Sequence, residues 1–202
     1  MFKGNQNTTT NTTAKNITYI AKEIEVTGDF NGKGAVQVEG ILNGNISVTS
    51  VVIGVNGVVN GTIKATNVIV NGKLKGSILC DTLEVMSNGS VTDEIKVQRV
   101  LISGKVDGLI ESKNEINIDK TGVVNATTMT SRNILVDGSF KGKVISSELL
   151  EIGNTGSVEG DITVKNIKTH EGGRLLGSMQ LYTAPKPIED KPNSELEEKA
   201  KA

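Results

Sequence analysis

The stretch from Val51 to Ile63 reads VVIGVNGVVNGTI. It returns as LEVMSNGSVTDEI from Leu83, INIDKTGVVNATT from Ile116 and LEIGNTGSVEGDI from Leu150, at spacings of 32, 33 and 34 residues. Between these copies lie shorter relatives: VQVEGILNGNI from Val36, VIVNGKLKGSI from Val68, VLISGKVDGLI from Val100 and ILVDGSFKGKV from Ile134. A short period of this kind means that each unit is one layer, unable to bury its apolar face alone and stable only when stacked on its neighbours.

Counted from the first aliphatic residue, the units start at Ile24, Val36, Val51, Val68, Leu83, Val100, Ile116, Ile134, Leu150 and Ile167. The first step is 12 residues and the later ones run from 15 to 18. Inside a unit, aliphatic and polar residues alternate with period two, the mark of a strand with one buried face. A turn ending in glycine (Gly57, Gly72, Gly89, Gly104, Gly122, Gly138, Gly156) divides the unit, and the longer units carry two extra residues before that glycine. Three short strands separated by corners, with glycine or asparagine at corner positions needing positive φ, describe one coil of a parallel β-solenoid. The expected fold is therefore all-β: a right-handed parallel β-helix of about ten triangular coils, right-handed because parallel crossovers favour that hand. At about 4.8 Å per coil the rod is roughly 48 Å long.

Composition agrees with such a core. There are 23 glycines, 2% aromatic residues and no tryptophan, so the interior must be built from stacked Ile, Val and Leu. The solenoid is expected over residues 17–182. Residues 1–16, rich in Asn and Thr, form one flexible tail; residues 183–202, which hold all three prolines and many charges, form a disordered second one.

The bulk numbers narrow the function. Lys and Arg total 22 against 23 Asp and Glu, with no basic stripe or aromatic platform, which argues against a nucleic-acid partner. The N-terminus lacks the apolar run of a signal peptide and no stretch reaches the length of a membrane span, so the expected compartment is the cytoplasm. The single cysteine, Cys80, falls where other coils carry Val48, Ala65, Val97 and Val164, and reads as a small buried hydrophobe. Asp93 and Glu94 lie several coils from Glu159 and Asp161, which does not make the closely spaced carboxylate pair of a polysaccharide-cleaving solenoid. His170, the sole histidine, reads as a solvent-facing corner residue. The string GDFNGKG at Gly28 lacks the spacing of a phosphate loop and belongs to the repeat's own turn. No catalytic residue, cofactor or metal site is expected.

Coils such as VIVNGKLKGSI and ILVDGSFKGKV, the absent signal peptide and the polar tails around a proline-free solenoid together resemble the bactofilins, a family of bacterial cytoskeletal proteins. The resemblance covers roughly residues 17–182. It implies a right-handed β-helix that polymerises end to end without nucleotide into filaments or sheets, a scaffold for cell shape, cell-wall enzymes or motility organelles. Met1, Phe2 and Lys3 resemble the short membrane-targeting peptide of some members, which implies the inner face of the cytoplasmic membrane as a partner besides the homopolymer and client proteins. The chain differs from compact members in having more coils, and Lys3 and Lys15 are the only basic residues near its start.

Self-assembly also follows from physics. An open solenoid presents unpaired strand edges and an apolar cross-section at both ends, and each invites another chain unless capped. The expected interface comprises Tyr19, Ile20, Ile24, Val26 and Phe30 at one end and Leu175, Leu176, Met179, Leu181 and Tyr182 at the other. The competing readings are a β-helix enzyme acting on cell-wall polysaccharide and a monomeric solenoid adaptor.

Overall fold

The computed structural model describes residues 16–183, so Met1, Phe2, Lys3 and almost all of both tails lie outside the described residues. The described residues form seventeen strand segments in one continuous parallel sheet, with no helix. The sheet is wound into ten coils, each contributing to three strand rows. The first row starts with Ile17–Ile20, Ala35–Val38 and Ser50–Ile53; the second with Glu25–Thr27, Ile41–Asn43 and Val58–Asn60; the third with Phe30–Asn31 and Ile46–Ser47. Further along the rod the corners become extended, and single segments such as Lys105–Ile118, Val123–Val136 and Ser139–Ile152 run through all three faces of the coil.

The period-two alternation is realised as vertical columns. On the first face, Val36, Val51, Val68, Leu83, Val100 and Ile116 stack in register with every member buried. On the second, Leu42, Val59, Leu74, Val91, Val106, Val124, Phe140 and Val158 do the same. Phe140 is the one aromatic ring in this core, and Ile46, Ile63, Ile78, Ile95 and Ile110 fill the third column. A side chain in such a column is buried by like residues above and below as well as by the other two faces, so each layer depends on its neighbours.

The first coil begins earlier than the aliphatic spacing indicates. Thr18 and Ile20 pair with Val36 and Val38, which puts the inward columns of coil one on Ile17–Ile20, while Ile24 sits in the following corner. The anomalous first step of 12 thus becomes 18, because a threonine occupies a column position filled elsewhere by an aliphatic residue.

Two rows of glycines serve two purposes. The turn glycines have ordinary backbone conformations, but a Cβ at Gly72 would collide with the carbonyl oxygens of Gly54 and Gly57 in the coil below, and one at Gly138 with those of Asp119 and Gly122. The left-handed region is used one corner later, by a column that includes Gly28, Gly44, Gly61, Gly76, Gly108, Gly142, Gly160 and Gly177. Asparagine takes none of these positions; among the described residues the non-glycine exceptions are Glu23 and Asp93. Asp93 stands in this glycine column, paired with Gly108. Ala126 also occupies the column, but there Thr127 is an extra residue and the register shifts, so positive φ is not needed.

Candidate polymer interface

The coils cover each other everywhere except at the two ends. At the last coil, Leu175, Met179 and Leu181 continue inward columns from Val158, Ile162 and Val164, yet no layer lies above them among the described residues. Met179 is 51% exposed and Leu181 75%, whereas Ile162 and Val164 directly below are buried. At the first coil, Ile20 is buried and Val26 and Phe30 are partly covered. These six residues form the two end cross-sections. Tyr19 and Leu176, 58% exposed each, pair with Gln37 and Glu159 on the outer surface and so flank the ends rather than face along the axis. Tyr182 follows the last strand, its amide bonded to the carbonyl of Val164.

Among the described residues the strand edges at these ends are open as well: Ile17–Ile20, Glu25–Thr27 and Phe30–Asn31 pair on one side only, with coil two, and Arg174–Leu181 pairs only with Ser157–Thr169. Such edges expose backbone donors and acceptors already set for another parallel strand.

The residues weighed for chemistry are dispersed by the same geometry. Glu94 is paired with Lys96 at 2.8 Å and Glu159 with Lys141 at 3.1 Å, both at the exposed surface. Cys80 is buried against Ala65 in its column, with its thiol 3.4 Å from the carbonyl of Thr82; burial, and then the charge of Asp81, push its pKa up to about 12. His170 is not simply solvent-facing: its Nε2 lies 2.5 Å from Glu151 Oε1, which also accepts from Lys168 Nζ at 2.7 Å. Hydrogen bonds from His170 first, then Lys168, hold the Glu151 carboxyl below the usual carboxylate range. An open groove of about 530 Å³ beside Leu79 and Cys80 carries Asp81 and Glu111, two coils or roughly 9.6 Å apart along the axis. Among the described residues no group of three His, Cys, Asp or Glu side chains could hold a metal, and no helix is long and apolar enough to cross a membrane.

The family model for bactofilins, described as polymer-forming cytoskeletal, matches the chain twice, over residues 18–103 and 97–180. The chain belongs to the bactofilin family. No curated protein and no solved structure gave a significant match. The two bactofilin matches divide the rod: one runs from the first coil to the first strand of the sixth, the other from there to the last coil. No break separates them, because Ser90–Ile102 pairs in parallel with both Ile78–Val85 below and Lys105–Ile118 above. Both matches of this bactofilin thus lie on one continuous solenoid.

Proposed function

We propose that this bactofilin is a non-enzymatic scaffold that self-polymerises end to end, without nucleotide, into filaments or sheets. Its place is the cytoplasm, where it organises client proteins of cell shape, wall synthesis or motility. The observation that carries this reading is the last coil, whose Met179 and Leu181 continue buried columns but remain exposed in a single chain. A last coil that no layer covers among the described residues, while every other coil is stacked on both sides or capped by its neighbour, offers an apolar surface suited to another copy of the chain. Membership of a polymer-forming family supports the same conclusion.

Attachment to the inner face of the membrane is assigned to Met1, Phe2 and Lys3. Shallow insertion of the phenyl ring and attraction of Lys3 to anionic headgroups each contribute on the order of 1–2 kcal/mol. One such peptide binds marginally, and a polymer presenting many binds firmly by avidity. Negative-stain electron microscopy of the full chain without nucleotide or metal tests polymerisation: filaments or sheets are expected, and uniform small particles overturn it. Co-sedimentation with anionic vesicles tests attachment, which fails if deletion of residues 1–8 leaves binding unchanged.

A further inference from the structure

The open groove of about 530 Å³ on the third face lies on the flank of the rod, away from both ends, and has no part in end-to-end assembly. Along the outward column of that face, Lys64, Leu79 and Lys96 follow one another one coil apart. Leu79 is 51% exposed, and Ala65 and Val97 add apolar surface beside it. Lys64 and Lys96 bracket the leucine, and Lys113, from the coil beyond Lys96, completes a basic rim. Of the two carboxylates there, Asp81 accepts from Gln98 Nε2 at 2.6 Å, and Glu111 stands in register with Lys96. Lys96 is tied to Glu94 at 2.8 Å, whereas Lys64 and Lys113 are in no ion pair among the described residues. Such a groove suits an apolar side chain that carries negative charge on either side of it.

We propose that this groove is the docking site of the chain's own C-terminal segment, residues 194–198, with Leu196 seated on Leu79 and the carboxylates of Glu195, Glu197 and Glu198 set among Lys64, Lys96 and Lys113. Three observations carry it. The first is where the segment starts. Leu181 ends the inward column to which Ala65, Cys80 and Val97 belong, and the amide of Tyr182 is bonded to the carbonyl of Val164, so the chain leaves the solenoid on the same edge that holds the groove. The second is reach. From coil ten to Leu79 and Lys96, in coils four and five, is about 24–29 Å at about 4.8 Å per coil. Leu196 lies 14 residues beyond Tyr182 and spans up to about 46 Å when extended, whereas Ile188, 6 residues beyond, spans only about 20 Å and falls short. The third is chemistry: Glu195-Leu196-Glu197-Glu198 is one leucine between acids, the counterpart of Leu79 between lysines.

The tether makes a small contact sufficient. A short linker holds its far end at an effective concentration in the millimolar range, so one apolar anchor and a few screened charges keep the segment on the groove for much of the time. Bound there, it covers Leu79 and withholds the groove from the flank of a neighbouring rod or from a client peptide of the same acidic and apolar character. Such a partner gains access only by displacing it.

Cysteine cross-linking of the full chain tests this, with Cys80→Ala removing the native thiol at a position where the coil below carries Ala65. Gln98→Cys with Ser194→Cys puts one thiol on the groove rim and the other beside Leu196. Lys105→Cys with Ser194→Cys is the control, its first thiol exposed on the second face and one coil nearer to coil ten. Under mild oxidation the groove pair is expected to close an intramolecular disulfide, read as a shifted monomer band without reductant, at least about tenfold faster than the control. Lys64→Glu with Lys96→Glu is expected to abolish that advantage, and Glu195→Lys with Glu197→Lys in the same chain to restore it. Equal rates for the two pairs overturn the proposal. Dimer bands in place of shifted monomers overturn it too, because the groove then receives the segment of another copy. An advantage that survives reversal of Lys64 and Lys96 refutes the assignment of those lysines to the acidic residues. None of these outcomes depends on whether the ends of the rod polymerise.

Discussion

Leu181→Glu separates folding from assembly. In a single chain, Leu181 is 75% exposed and has only Val164 below it. Full burial of a leucine stabilises by about 1.5–3 kcal/mol, so the covered quarter contributes about 0.5 kcal/mol to folding and the rest, about 1–2 kcal/mol, is gained when another layer covers it. Glutamate forfeits that gain and leaves an uncompensated carboxylate between two apolar layers, a further cost of about 3–5 kcal/mol. At 1.4 kcal/mol per decade, the concentration needed for assembly rises roughly 10³- to 10⁵-fold. The assay is sedimentation across a dilution series, with circular dichroism and thermal melting of the supernatant. Wild-type chains should pellet at concentrations where the variant stays soluble, folded and within about 2 °C of the wild-type melting temperature. A variant that pellets like wild type would refute the interface; one that loses its β signal would show that Leu181 belongs to the core of the single chain.

Gly142→Val should destabilise strongly, because φ there is 135° and a Cβ would collide with the carbonyl of Ala126; a loss of about 3 kcal/mol lowers the melting temperature by roughly 6–12 °C. Native Cys80 should resist a thiol reagent at pH 8, since its pKa of about 12 keeps it protonated and its side chain is buried, and should react stoichiometrically once the chain is unfolded. Glu151, with its folded pKa lowered from 4.5 by His170 and Lys168, contributes stability that is present above 4.5 and lost as pH falls through the lowered value. Glu151→Gln should therefore flatten the acid side of a plot of melting temperature against pH and leave the neutral region little changed.

The solenoid was legible because its determinants are periodic. Val51, Ile53, Val59 and Ile63 announce three buried strand positions, and the same spacing recurs often enough to number the coils and to place Cys80 in a small-residue column. Other features depend on what lies one coil away, which no local pattern encodes. The turn glycines and the glycines of the Gly28 column look equally fit for positive φ, and only the stacked backbone shows that the first row is there for clearance. Thr18 begins the column of Val36, although it is itself exposed at the end of the rod, and a single threonine does not read as aliphatic. Of the residues expected to face another copy, Ile20, Val26, Phe30, Leu175, Met179 and Leu181 fall on the end cross-sections, whereas hydrophobicity alone could not show that Tyr19 and Leu176 point sideways or that Ile24 occupies a corner. The pairing of His170 with Glu151 joins residues 19 apart in the chain, and it became visible only when coil nine was laid beneath coil ten.

The continuity of the solenoid through its middle also has a mechanical meaning. A rod breaks where it is held together by the least, and here the midpoint is crossed by a continuous backbone as well as by the ladder between strands. In the end-to-end assembly proposed above, the middle of each rod would be held by covalent backbone as well as by the strand ladder, and the joints between chains by hydrogen bonds and packing alone. Dilution or pulling would then act first on the joints between chains and spare the middle of each rod.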